Sequence, residues 1–325
     1  MKFKGLNKSM KLNFFRQRVP TRDGYGDSLV EIGKRNKKIM VLCADLVEST
    51  RVHKFSEKFP KQFVEMGVAE QNLVTVASGL AAVGKIPFVS SYAMFCPGRC
   101  WEQIRTTICY NNRNVKVIGA HAGISVGPDG ATHQALEDIA IMRALPNMIV
   151  VVPADYEQTK KATKALAKYQ GPAYMRFARE KTEQMTTNKT PFIIGKAQIF
   201  KEGKDVAIIG AGPVVYECLA AAELLEKKGI NSMVINSHTI KPLDEKIILE
   251  AAKKCKGIIT VEEAQISGGL GGAVSEFLSE VHPTKIKRVG VRDHFGESGS
   301  PDELLEKFGF SAKHIFKETL KFLNK

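Results

Sequence analysis

The 325-residue chain predicts an α/β protein of two doubly wound domains, and three features carry that expectation. Short apolar runs alternate with helical stretches along nearly the whole sequence, the pattern of parallel strands joined by helical crossovers. The alternation is interrupted once, by the polar stretch Thr182-Glu183-Gln184-Met185-Thr186-Thr187-Asn188-Lys189-Thr190 before Pro191, which reads as a linker, and then restarts. Length, with 44% hydrophobic and 25% charged residues, suffices for two ordinary soluble cores. The expected division is a basic arm over 1–20, a first domain over 21–187 and a second over 188–325.

In order, Thr21-Arg22-Asp23-Gly24 opens a helix to about residue 35, and a strand over 38–44 follows, centred on Ile39-Met40-Val41-Leu42. Met66-Gly67-Val68-Ala69-Glu70-Gln71-Asn72 then leads into a helix so apolar between Leu73 and Val83 that burial on nearly every face is expected. Strands over 87–90, 115–120, 148–152 and 173–177 alternate with helices over 97–110, 133–145 and 155–168. In the second domain, strands over 206–209, 232–235, 257–261 and 286–291 alternate with helices over 214–228, 244–254 and 270–281, and helices from Pro301 and Ala312 close the chain. Gly210-Ala211-Gly212 begins a dinucleotide fingerprint, but Val215 stands where the third glycine belongs. Ile235-Asn236-Ser237 also offers no acid for a ribose, so a plain strand–turn–helix is expected there.

Lys+Arg 48 against Asp+Glu 34 gives a formal net charge of +14, which suits an anionic partner. No nucleic-acid motif accompanies it, so much of the lysine excess reads as solvated helix face, with sugar phosphates or an acidic partner subunit as the remaining fit. No apolar run has the length of a membrane span, and the basic start lacks the apolar core of a secretory signal. The six cysteines are scattered, and Cys96 and Cys100 have no second ligand pair, so no metal site is expected. Free thiols in a reducing cytoplasm are the natural expectation.

Three stretches carry chemistry. Glu70 falls on the first turn of the apolar helix, where a carboxylate either complements the helix dipole or is held for a purpose, since burying it unpaired is costly. Tyr92 and Phe95, spaced i and i+3 after a strand end, make either core packing or a flat platform for a ligand ring. His121-Ala122-Gly123-Ile124-Ser125-Val126-Gly127-Pro128-Asp129-Gly130-Ala131-Thr132-His133-Gln134 starts at a strand's carboxyl end, where open α/β sheets hold ligands. It presents two imidazoles and a carboxylate that can recognise hydroxyls and move protons, or that merely cap an ordered loop.

Gly67-Val68-Ala69-Glu70-Gln71-Asn72 with its apolar helix, the Tyr92/Phe95 segment and the loop ending Asp129-Gly130-Ala131-Thr132-His133-Gln134 together resemble the transketolase family of thiamine diphosphate enzymes. The resemblance implies that Glu70 bonds the cofactor's aminopyrimidine ring, and that Tyr92 and Phe95 line its pocket. The family's third aromatic would fall near Gly98 and is absent. It further implies that His121 binds the phosphate end of substrate, that His133 acts at the carbonyl or hydroxyl beside the reacting carbon, and that Asp129 binds a substrate hydroxyl. Thr21-Arg22, Ala44-Asp45-Leu46-Val47-Glu48-Ser49 and Arg176-Phe177-Ala178-Arg179 match further family positions, which would join Arg22, Ser49, His121 and Arg179 in one anion site, with Arg176 as the alternative to Arg179. Ile240-Lys241-Pro242-Leu243-Asp244, Glu262-Glu263 and Asp293-His294-Phe295-Gly296-Glu297-Ser298-Gly299 resemble the family's C-terminal domain, where scaffold and dimer contact are expected.

The family's Gly-Asp-Gly…Asn motif, which holds magnesium and diphosphate, has no match: Arg22-Asp23-Gly24 and Pro128-Asp129-Gly130 both lack the leading glycine. The resemblance thus covers a pyrimidine-binding domain and a C-terminal domain but not the diphosphate-binding one. It implies the C-terminal subunit of a split transketolase, passing a two-carbon ketol unit from ketose to aldose phosphate. Thiamine diphosphate would be shared with a separate N-terminal subunit that binds the magnesium, in an assembly such as a heterotetramer. A deoxyxylulose phosphate synthase, a 2-oxoacid dehydrogenase beta subunit and a degenerate regulatory subunit are the competing readings.

Overall fold

The computed structural model describes residues 18–324. The first unit comprises β1 (Arg18–Pro20), α1 (Thr21–Arg35), β2 (Ile39–Cys43), α2 (His53–Lys58), β3 (Phe63–Glu65), α3 (Glu70–Ala82), β4 (Ile86–Tyr92), α4 (Trp101–Gln103), β5 (Lys116–Ala120), α5 (Asp138–Arg143), β6 (Ile149–Val151), α6 (Tyr156–Lys168), β7 (Ala173–Arg176) and β8 (Lys181–Glu183). The second comprises β9 (Gln198–Lys201), β10 (Val206–Gly210), α7 (Val215–Glu226), β11 (Ser232–Asn236), β12 (Thr239–Lys241), α8 (Glu245–Lys254), β13 (Ile258–Gln265), α9 (Leu270–Val281), β14 (Ile286–Val291), α10 (Pro301–Lys307) and α11 (Ala312–Phe322).

Two sheets organise these elements, one of seven strands in the order β12-β6-β7-β5-β4-β2-β3 and one of five in the order β14-β13-β10-β11-β9. Their interior strands are parallel and buried on both faces, which is why Ile39-Met40-Val41-Leu42-Cys43 and Val206-Ala207-Ile208-Ile209-Gly210 read as continuous apolar runs rather than alternating ones. Both are doubly wound α/β sheets, as the sequence predicts. The dinucleotide-like turn after β10 is a plain strand–turn–helix, with Val215 packed against Gly210. Among the described residues no helix is long and apolar enough to cross a membrane.

Several local expectations are corrected. Each sheet carries an antiparallel edge strand, β12 against β6 and β9 against β11. β12 comes from the second unit yet extends the first sheet, and Lys241 Nζ fixes it there by donating to the Arg143 and Leu145 carbonyls. The last three residues assigned to the arm, Arg18–Pro20, form β1, and the rest of that arm lies outside the described residues.

The polar stretch lies between the two units but is packed rather than free in solvent. Lys181–Glu183 pairs with β1, while Met185 and Thr186 are buried against Asp155, the N-cap of α6. Asp155 accepts from Met185 N at 2.8 Å, Thr186 N at 2.5 Å and Thr186 Oγ1 at 2.7 Å, besides Gln158 N at 2.8 Å.

The helix over 97–110 is broken into a 3-10 turn (Gly98–Cys100), the short α4 and a π turn (Ile104–Cys109). Thr106 and Thr107 hydroxyls donate to the Glu102 and Gln103 carbonyls, a competition for backbone acceptors that accompanies such irregularity. The helix over 133–145 starts only at Asp138, because the backbone before it is bonded elsewhere: His133 N to Gly130 O at 3.0 Å, and Gln265 N to Leu136 O at 2.9 Å. Finally, α3 is not buried all round. Leu73, Val74 and Ala77 face the core, but Gln71, Asn72, Gly79 and Ala82 are exposed and Val68 and Val83 flank it at 69% and 74% exposure.

Candidate functional site

β7, β5, β4 and β2 are consecutive neighbours, and the chain leaving their carboxyl ends carries Arg179, His121, Tyr92 and Ser49 respectively. Such edges are where open α/β sheets bind ligands. Helix α1 starts at the same edge, where Thr21 Oγ1 donates to the Ala178 carbonyl at 3.0 Å, so Arg22 on its first turn reaches the edge too.

Glu70 arrives from β3 by a tight turn. Glu65 Oε1 accepts from Asp45 N at 2.7 Å and Gly67 N at 2.9 Å, and Gly67 adopts φ +68°, a conformation that glycine takes without strain. The Glu70 carboxylate is only 4% exposed, and Arg99 Nη1 reaches its two oxygens at 3.2 and 3.3 Å.

Beside it stands the aromatic platform. Tyr92 and Phe95 stack with centroids 5.7 Å apart and 23° between planes. The Arg99 guanidinium lies 4.2 Å from the Phe95 centroid, and the His133 ring meets Phe95 edge-on at 5.3 Å. His133 Nδ1 is 2.9 Å from Thr132 Oγ1. On its other side Tyr92 packs on His121 at 4.0 Å.

His121 is fully buried at φ +52°, an uncommon conformation for a residue with a Cβ, of the kind that concentrates at functional sites. Arg22 Nη1 lies 3.3 Å from its Nε2 and donates to the Ser49 carbonyl at 3.1 Å. Arginine can only donate, so Nε2 accepts and the ring proton sits on Nδ1. Both that Nδ1 and Arg22 Nε are buried without a partner, two N–H donors with no acceptor among the described residues. Burial, then the Arg22, Arg179 and Arg51 charges, push His121 down to about 2, so the ring is neutral at any working pH. Burial lowers Arg22 as well, followed by the Arg51 charge.

Asp129 and Arg179 close this end. Arg179 Nε is 3.7 Å from Asp129 Oδ2, and its Nη1 donates to Glu180 Oε1 at 2.8 Å and to the Val126 carbonyl at 3.3 Å. Arg176, the alternative, is committed elsewhere. It is buried, its Nε 3.0 Å from Asp138 Oδ2 though out of line for a hydrogen bond, and its Nη2 donates to the Glu263 carbonyl at 2.7 Å.

Apart from Arg176, the residues singled out in the sequence lie along one strip, from Glu70 past Phe95, His133, Tyr92 and His121 to Arg22, with Ser49, Asp129 and Arg179 bordering its far end. Two residues were missed. Arg51, two positions after Ser49, is held at 2.7 Å by Asp23 and adds a third guanidinium to the Arg22 end. Arg99 follows Phe95 by four residues, and only the fold brings it to Glu70. Cys96 and Cys100 are free, buried thiols 3.5 Å apart. Among the described residues no three His, Cys, Asp or Glu side chains converge as a metal site.

Chemically, one end of the strip offers a carboxylate and a stacked ring face to a planar, nitrogen-bearing cation; a guanidinium already makes both contacts. The other end offers unmet N–H donors among arginines to a tetrahedral anion. The His133 ring lies between, edge-on to Phe95 and 6.1 Å from Tyr92.

Residues 17–184 match the family model for the transketolase pyrimidine binding domain, and residues 195–315 that for the transketolase C-terminal domain. The chain is 46% identical over 308 residues to a Methanocaldococcus jannaschii protein named as a transketolase C-terminal section, covering 94% of this chain and 96% of that one. It is 42% identical to a 6-deoxy-6-sulfo-D-fructose transketolase subunit of a Clostridium species, covering 90% and 91% of the two chains. A solved structure described as a split gene transketolase, inactive beta4 tetramer, superposes with a TM-score of 0.88 at 45% identity, covering 94% of this chain and 99% of that one.

Proposed function

The chain belongs to the transketolase family, as the C-terminal subunit of its split form, and from that premise we propose that it shares thiamine diphosphate with a separate N-terminal subunit to move a two-carbon ketol unit between sugar phosphates. The observation that carries this reading is the strip itself: a buried carboxylate beside stacked aromatics at one end, and orphaned donors of Arg22 and His121 at the other. Those features fit the group. Glu70, Tyr92 and Phe95 would hold its aminopyrimidine ring, and the magnesium and diphosphate would belong to the partner, since this sequence lacks the Gly-Asp-Gly…Asn motif. When bound, thiamine diphosphate supplies the electron sink that lets a carbon–carbon bond beside a carbonyl break.

The chain's own residues then have distinct tasks. Glu70, shielded from water, would bond a ring nitrogen and hold its protonation pattern. His133, against Phe95, is positioned to hold or move a proton at a substrate oxygen near the reacting carbon. Asp129 selects a substrate hydroxyl. Arg22, Ser49, His121 and Arg179 take the terminal anion, to which His121 offers its Nδ1 proton and Arg22 its Nε proton. The exposed outer side of α3, with Val68 and Val83 at its ends, supports docking of the partner next to Glu70. A heterotetramer, with units 21–187 and 188–325 in each copy of this chain, completes the proposal.

The test is an assay of the chain assembled with its N-terminal partner. Turnover of xylulose 5-phosphate with ribose 5-phosphate is expected, and none with pyruvate and glyceraldehyde 3-phosphate. The reverse pattern would move the chain to the deoxyxylulose phosphate synthases.

A further inference from the structure

Arg99 has no role in the reading above, yet its side chain is fixed at two points. Its Nη1 meets both Glu70 oxygens at 3.2 and 3.3 Å, and its guanidinium covers Phe95 at 4.2 Å. A guanidinium is planar, cationic and edged with N–H donors, so it uses a carboxylate and an aromatic face as a nitrogen heterocycle does. Arg99 lies on the same Glu70 oxygens and the same Phe95 ring that a heterocycle bound there would use, so the two compete for that space.

We infer that Arg99 is a placeholder for the cofactor ring: it occupies Glu70 and Phe95 while the ring is absent and must leave both for the ring to bind, which makes it a determinant of cofactor affinity. This rests on the assignment of Glu70 and Phe95 to the cofactor. Three observations support it. Glu70 is 4% exposed, and a carboxylate so buried is costly without a counter-charge, which Arg99 supplies to the cofactor-free subunit. Arg99 is itself 51% exposed, so its side chain can swing into solvent without opening the core. Its position in the turn is independently anchored, because Gln71 Nε2 donates to the Arg99 carbonyl at 3.3 Å and ties the turn to α3. The side chain can therefore move while the backbone of its turn stays in place.

The experiment is a calorimetric titration of thiamine diphosphate, with saturating magnesium, into the assembled two-subunit enzyme. Arg99→Ala is expected to lower Kd by about tenfold, the order of one charge-assisted contact that no longer competes. Arg99→Lys, which keeps charge but loses the planar stack, is expected to fall between. In the chain alone, Arg99→Ala is expected to lower Tm by a few degrees, and that loss is expected to vanish in a Glu70→Gln background. An unchanged or higher Kd in both Arg99 variants overturns the placeholder. Absence of binding by the unsubstituted assembly overturns instead the assignment of Glu70 and Phe95, and the placeholder with it.

Discussion

Replacing Glu70 by alanine is expected to lower kcat of the assembled enzyme by at least about a hundredfold, the scale on which a positioned proton-controlling group acts. The reason is placement. Glu70 enters on the first turn of α3 after the Gly67 turn, is 4% exposed, and stands beside the Tyr92–Phe95 stack. The Arg99 guanidinium links the two, meeting Glu70 at 3.2 Å and covering Phe95 at 4.2 Å. The loss should fall on kcat and on cofactor affinity, with KM for the sugar phosphates little changed, because the proposed anion site at Arg22 and His121 is built from other elements. Glu70→Gln keeps the shape and one acceptor, so it should fold and assemble like the parent while remaining severely impaired. Steady-state kinetics beside thermal melts of both variants separates this from unfolding. Retention of more than a few per cent activity in Glu70→Ala removes the residue from the mechanism.

The largest stability effect is expected at Asp155. Its carboxylate is fully buried and accepts four hydrogen bonds, from the Gln158, Met185 and Thr186 amides and the Thr186 hydroxyl. Alanine there strands those donors and removes the cap of α6, a combined loss of about 3–5 kcal/mol. A urea titration should show the midpoint falling with little change in m-value, and the segment around 185–190 should become the first site of limited proteolysis. A midpoint near that of the parent would mean that the segment is held by its own strand pairing with β1 rather than by Asp155.

That segment also shows where sequence reading stops. Its run of Thr, Asn and Lys has the composition of a linker, and nothing local reveals a carboxylate 30 residues before Met185 and 31 before Thr186 that turns their amides and the Thr186 hydroxyl inward. Starts of helices were legible where they are written locally: Pro301 and Ala312 follow Ser300 and Ser311, whose hydroxyls accept from Glu303 N and His314 N. The stretch over 133–137 looked helical by composition, but its backbone groups are spoken for by Gly130 and Gln265.

At the site, the residues that occur in distinctive local patterns could be read, and the strip joins them. Arg51 and Arg99 could not, because an arginine is informative only through what it faces. Asp23 lies 28 residues before Arg51, and Glu70 lies 29 before Arg99. The outer side of α3 misled for a related reason. The apolar composition of the helix as a whole reads as burial on every face, yet within this chain Gln71, Asn72, Gly79 and Ala82 are open to solvent.

The central claim is that this chain carries half of a thiamine diphosphate site and that a second polypeptide completes it. Titrating thiamine diphosphate and magnesium into the chain alone and into the assembled enzyme tests it most directly. The account predicts no saturable binding to the chain alone up to millimolar cofactor, and tight binding to the assembly that Glu70→Ala abolishes. Tight, magnesium-dependent binding to the isolated chain would contradict it.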